Sequence, residues 1–228
     1  YNKCSLGINM LSFLLLLLIV IFLLRAYSVF LSIQKHRNST VRNRRPAINL
    51  PIKTLVVLGS GGHTTEMLQM IQYLNEKIYD PLIYVIASSD TTSERRFHAL
   101  GGRLPSETYY IPRSREVGQS YVTSVLSTLY SFLFSFWLVI CIRPALVLCN
   151  GPGTCLPVAL ATLLLRILGL CEGQIVFVES LCRVKSLSLT GKLLYPFVDM
   201  FLVHWDELQS RFPRSQTLST FVPKRHHT

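Results

Sequence analysis

The chain begins on an unbroken apolar run. Leu6 to Leu24 carries no charged residue and consists mainly of Leu, Ile, Val and Phe. As a helix it reaches most of the way across the ~30 Å of bilayer hydrocarbon. Beyond residue 53 the pattern changes to short apolar runs separated by longer segments with helical spacing. Thr54–Leu58, Leu82–Ala87, Thr108–Ile111, Ala145–Cys149, Gln174–Val178 and Met200–Val203 read as six buried strands. Between them lie five helices. The first is carried by Met67, Leu68, Met70, Ile71 and Leu74, and Thr64 or Thr65 is its expected cap. The others are Ser93–Leu100 (ended by Gly101 and Gly102), Ser120–Ile142, Leu156–Leu168 and Leu189–Phe197. Asp206 is placed to cap a last turn before Pro213. Strands alternating with helices predict an α/β fold, a Rossmann-like, doubly wound parallel sheet.

Ser120–Ile142 contains no charge. It reads either as a second membrane span or as a buried or membrane-surface helix, the latter favoured by its many Ser and Thr residues.

Charge sharpens the reading of the N-terminus. Residues 1–53 hold eight Lys and Arg and no acid, so most of the net charge of +11 lies there. The alternatives for the apolar run are a retained anchor and a cleaved signal peptide. The run is long for a signal, and no small-x-small site follows it. The positive-inside rule then predicts one pass, with the short N-terminus lumenal and the main domain on the cytosolic face. Asn38-Ser39-Thr40, a glycosylation sequon by pattern, would stay bare in that topology. The expected division is a lumenal segment 1–5, an anchor 6–24, a basic juxtamembrane linker 25–52, a Rossmann-like domain 53–212 and a tail 213–228. A basic cluster confined to the linker, without aromatic RNA motifs or zinc-finger spacing, argues against a nucleic-acid partner. None of the six cysteines forms C-x-x-C, and most lie in apolar runs, so they read as buried thiols and no metal is expected.

Two glycine loops carry the candidate chemistry. Gly59-Ser60-Gly61-Gly62-His63-Thr64 follows the first strand, and Asn150-Gly151-Pro152-Gly153-Thr154 follows the fourth. In a parallel sheet both fall on the carboxyl edge, where ligands bind. Free N–H groups at a helix start suit an anion such as a diphosphate. Tight βα packing would also account for one such loop. His63 can serve as a general base or a phosphate donor, or simply bond backbone. Arg113 and Arg115, after the third strand, can clamp a diphosphate or face solvent. Glu179 can orient a hydroxyl or a histidine, or pair with Arg183. The first loop lacks G-x-G-x-x-G, and the acid nearest the end of the second strand, Asp90, comes later than the ~20 residues expected. That argues against the alternative of an NAD(P)-dependent oxidoreductase, and no cofactor is expected. No hydrolase or metal-dependent transferase motif is present.

Four segments, Leu58–Met67, Ile111–Val117, Leu148–Cys155 and Val178–Val184, occur in the order and wording of a known family. They resemble the asparagine-linked glycosylation protein fourteen family, membrane-anchoring subunits of a two-part UDP-GlcNAc transferase. The resemblance runs from about Lys53 to Phe212. It implies the N-terminal, acceptor-side half of a B-type glycosyltransferase. It implies a separate cytosolic catalytic partner that brings the UDP-GlcNAc site. The pair would add the second GlcNAc to GlcNAc-diphosphate-dolichol at the endoplasmic reticulum membrane. Gly61, Gly62 and His63 would then face the acceptor. Pure membrane recruitment, with the loops as relics, is the competing reading. The family's short Gly-containing apolar tail is replaced here by Thr220–Thr228, which places docking through the tail in question.

Overall fold

Alternate residues of each central strand point to opposite layers, and the two cores divide accordingly. Val56, Leu58, Tyr84 and Ile86 pack with Met67, Leu68, Ile71 and Phe97 on one face. Leu55, Val57, Ile83, Val85, Val147 and Cys149 pack on the other with Leu138, Val139, Val158 and Leu165. The computed structural model describes residues 2–38, 51–99, 103–116, 118–151 and 153–218. In it β1 (Thr54–Val57), β2 (Leu82–Ala87), β3 (Glu107–Ile111), β4 (Leu146–Asn150), β5 (Gln174–Val178), β6 (Met200–Val203) and β7 (Gln216–Thr217) form one sheet. Its order is β3-β2-β1-β4-β5-β6-β7, with every pair parallel. α2 (Gly62–Ile71) and α3 (Thr91–Ala99) cover the first face, and α4 (Tyr121–Ile142) and α5 (Cys155–Ile167) the second. α6 (Leu189–Leu194) and α7 (Asp206–Arg211) precede and follow β6. The strand order reverses direction between β1 and β4, the position at which such sheets bind ligands.

The expected doubly wound sheet is observed, with a seventh strand added. β7 is two residues long, and its Gln-Thr sequence has no apolar signature.

The topology excludes α4 as a span. A single crossing between β3 and β4 would put two parts of one sheet on opposite sides of a bilayer. Instead α4 is the crossover helix. Ser120 caps it by accepting from the Thr123 N–H, and Ser131, Ser135, Leu138 and Val139 are buried.

α1 (Asn2–Asn38) departs from the expected boundary at residue 24. Its 37 residues extend about 55 Å, longer than a bilayer core is thick. Met10–Lys35 is apolar enough to span, and its N-terminal part is exposed all round. Residues 25–38 of the expected linker are helical because no Pro or Gly interrupts them and one stripe packs on the domain. Val29, Ser32 and Ile33 turn inward, with Ile33 almost wholly buried. Arg25 donates to the carbonyls of Arg166 and Ile167 at the end of α5. A cation there meets the negative end of the helix dipole. The C-terminal part of α1 is thus docked on the domain. The Arg42–Arg45 cluster, Ser39-Thr40 of the sequon, Gly101-Gly102 and residues 219–228 of the tail lie outside the described residues.

Two expected caps are corrected. Thr64 and Thr65 lie inside the first turn of α2, and Gly61 is the cap. Asp206 is the first residue of α7, with Trp205 at the cap position. Its carboxylate accepts instead from the Thr217 hydroxyl, tying α7 to β7.

Candidate functional site at the carboxyl edge

The loops after β1 and β4 meet at the switch point. Gly61 has φ +69, a left-handed conformation, and a Cβ added there would meet nothing within 4 Å. Glycine is required at this position for the turn, not for space. Gly62 opens α2 into free space. The turn is held from behind. The Thr64 hydroxyl, fully buried, bonds the Gly59 carbonyl, which also accepts from Ser93 Oγ at 2.8 Å. Arg96 donates to the Gly61 carbonyl and to Thr65 Oγ1. Asp90, at the start of α3, accepts from Ser93 and Thr92. Burial raises the Asp90 pKa, but these bonds outweigh it and hold the carboxyl below its usual range. Asp90 therefore buttresses the first loop through Ser93, a structural role.

His63 is the centre of a polar constellation. Its Nδ1 lies 3.0 Å from Asn150 Oδ1. Asn150, fully buried at the end of β4, donates from Nδ2 to Glu66 Oε2 at 3.1 Å. Glu66 Oε1 accepts from Ser180 Oγ at 3.3 Å. Glu66 Oε2 is 3.8 Å from His63 Nδ1, one helical turn away. A carboxylate can only accept, so it fixes which end of the Asn150 amide faces it. The amide oxygen is left facing His63, and His63 Nδ1 must carry the proton. In the neutral ring Nε2 then keeps its lone pair. Gly151 completes the seat. It has φ +66, and an added Cβ would stand 2.5 Å from His63 Cε1. Here glycine serves both the turn and the close approach of the ring.

The other expected residues divide. Arg113 reaches the first loop, donating to Ser60 Oγ at 3.2 Å, and pairs with Glu116 at 3.4 Å. Arg115 does not join it in a clamp. Its guanidinium bonds the Gln119 carbonyl at 2.9 and 3.1 Å. Gly153 is exposed and accepts from Ser114 Oγ, which links the second loop to the segment after β3. Thr154 sits at the cap of α5 without a side-chain capping bond. Glu179 is fully buried. Its carboxylate accepts from the Ser180 N–H and from the Ser188 N–H and hydroxyl, so it braces the loop from β5 to α6. The expected Arg183 partner is a correction: no ion pair joins them among the described residues, because Glu179 is satisfied locally and Arg183 is exposed.

Glu66 is a member of the site that was not among the expected residues. The available signal was its spacing of three from His63, which puts both on one helix face. His204, at the end of β6, lies near the same carboxylate. Burial lowers its pKa, against the opposing charge of Glu66 and a backbone bond to Glu179. Cys149 and Cys155 are buried behind the second loop. The bond from Cys155, together with burial, raises the Cys149 pKa well above its usual value, so this thiol is not an activated nucleophile.

Comparison with known proteins places this geometry in context. Residues 54–221 match the family described as "Oligosaccharide biosynthesis protein Alg14 like". A Mus musculus protein named UDP-N-acetylglucosamine transferase subunit ALG14 is 48% identical over 182 residues, covering 75% of this chain and 83% of that protein. The Homo sapiens protein of the same name is 45% identical over 181 residues, with the same shares. The Schizosaccharomyces pombe relative is 44% identical over 169 residues, 71% of this chain and 80% of its own. Among solved structures, a putative UDP-N-acetylglucosamine 2-epimerase from Listeria monocytogenes superposes with a TM-score of 0.56 at 13% identity. The match covers 72% of this chain but only 42% of the epimerase, and it bears on fold alone. With a family match over most of its length and close relatives over more than two thirds of theirs, this chain belongs to the Alg14 family of oligosaccharide biosynthesis proteins.

Proposed function

We propose that this chain is the membrane-anchored, acceptor-side subunit of a two-part UDP-GlcNAc transferase. It recruits a cytosolic catalytic subunit to the endoplasmic reticulum membrane and itself holds GlcNAc-diphosphate-dolichol. The observation that carries the acceptor part is the convergence of two glycine loops, Arg113 and the His63–Asn150–Glu66 constellation at one switch point. Recruitment rests on α1, an apolar helix docked on the domain through Arg25 and Ile33. The subunit names of the relatives support the partner.

In this reading the N-termini of α2 and α5, with Arg113, receive the diphosphate of the acceptor. The acceptor hydroxyl forms a bond to the anomeric carbon of UDP-GlcNAc, and UDP leaves with the electron pair. The hydroxyl proton passes to His63 Nε2, the nitrogen left unprotonated by the Asn150 bond. Glu179 has a positioning part through the Ser188 loop.

The test is GlcNAc transfer from UDP-GlcNAc to a GlcNAc-diphosphate-lipid, by this chain alone, by its partner alone and by the pair. Transfer by the pair only is expected. Transfer by this chain alone would overturn the split assignment.

A further inference from the structure

Beside the glycine loops, α4, α5 and α6 enclose a groove of about 810 Å³. That is within the range of small-molecule sites, about 300–1,000 Å³. One end is polar and shared with the loops, being lined by Ser60, Arg113, Gly153 and Thr154. Arg115 and Glu116 also border it. The rest is mostly apolar, walled by Val125, Leu129 and Phe132 of α4, Leu160 of α5 and Leu193 of α6, with the hydroxyls of Ser124, Thr128 and Thr190 among them. Leu129 and Leu193 are about half exposed. The outer face of α4 continues this surface. Leu126, Leu133 and Trp137 on it are 71, 60 and 71% exposed, an apolar patch unusual on a domain surrounded by water.

We infer that this groove receives the first isoprene units of the acceptor's polyprenyl chain, with the outer face of α4 seated at the surface of the cytosolic leaflet. The inference rests on the acceptor reading above and specifies how the lipid end is handled. Charge and continuity select the occupant. A ligand filling the groove and reaching the loops must be anionic at one end and hydrocarbon along the rest. A lipid-linked diphosphate has that distribution. The physical task is specific. A chain already in the bilayer gains little from entering another apolar environment. To bring its diphosphate to the glycine loops, however, the first units must rise out of the leaflet, where water would otherwise meet them. An apolar wall that begins at the diphosphate end removes that exposure. The Trp and Tyr side chains of α4, Trp137 and Tyr130, are of the type that settles at a membrane–water interface.

The test uses the assembled transferase in nanodiscs and two acceptors, GlcNAc-diphosphate on a long polyprenyl chain and on a methyl group. Leu129→Asn and Leu193→Asn alter half-exposed positions, and thermal unfolding checks that the fold is retained. KM for the polyprenyl acceptor should rise about tenfold in the double variant with kcat unchanged, the mark of lost ground-state binding. KM for the methyl acceptor should not move. Equal changes for both acceptors, or none for either, would overturn the groove. A photoreactive group on the first isoprene unit should label α4, α5 or α6. Labelling of the partner instead, or equal labelling of the groove by phosphatidylcholine carrying the same group, would also overturn it. If His63 and Gly151 variants bind and use both acceptors normally, the acceptor reading itself fails, and the groove assignment falls with it.

Discussion

Replacing His63 by Ala should lower kcat of the assembled transferase about 10²- to 10⁴-fold, the usual contribution of a positioned general base. KM for UDP-GlcNAc should be unchanged, because the donor site belongs to the partner in this reading. The effect depends on one nitrogen. The buried Asn150 amide is held by Glu66 so that its oxygen faces His63 Nδ1 at 3.0 Å. That bond leaves Nε2 as the acceptor. Gly151→Ala should act in the same direction without removing the imidazole, since its Cβ would meet the ring at 2.5 Å. Steady-state kinetics of the pair, with membrane recruitment measured alongside, separates the possibilities. Full activity in both variants with recruitment intact would favour a chain that only tethers its partner.

The second large effect concerns stability and lies at the opposite edge of the sheet. Asp199→Ala should destabilise the domain by about 3–5 kcal/mol, the cost of leaving a buried charge without its partner. Arg166 in the last turn of α5 makes two bonds to Asp199, at 2.6 and 3.1 Å. Both side chains are nearly inaccessible. Asp199 also accepts from the Ile175 N–H at 2.8 Å, so its loss releases α5, β5 and β6 together. For a domain of this size the midpoint of thermal unfolding should fall by roughly 10 °C. The exposed pair Arg113–Glu116 makes the contrast, since its carboxylate is 59% exposed. Such pairs contribute about 0–1 kcal/mol. A shift for Asp199→Ala no larger than that for Glu116→Ala would contradict this assignment. Because the pair sits where β5 and β6 begin, residual transfer per folded molecule should be near normal.

Much of this architecture is legible in the sequence because local rules decide it. Runs such as LIYVIA and QIVFV are apolar on both faces, as strands covered by helices on both sides must be. The glycine loops announce themselves by composition. What stays hidden depends on distant residues. Asn150 meets Glu66 across 84 positions, and Ser180 meets it across 114. No periodicity encodes such contacts. The same holds for Arg115, whose side chain turns to a carbonyl four residues on, and for Glu179, whose local bonds displace the expected Arg183. The C-terminal part of α1 was obscured by its charge. Basic residues read as linker, while the stripe of Val29 and Ile33 makes the segment a packed helix. α4 shows a case that composition alone leaves open, its Ser and Thr residues favouring the buried or surface helix that is observed. Its length and hydropathy fit a span, and the sheet on either side of it forbids one.

The most direct measurement is equilibrium binding to this chain alone, embedded in nanodiscs without its partner. Titration with a GlcNAc-diphosphate-lipid should give saturable binding that Gly151→Ala weakens, and titration with UDP-GlcNAc should give none. Tight binding of UDP-GlcNAc with no binding of the lipid-linked diphosphate would contradict the assignment of the acceptor to this subunit.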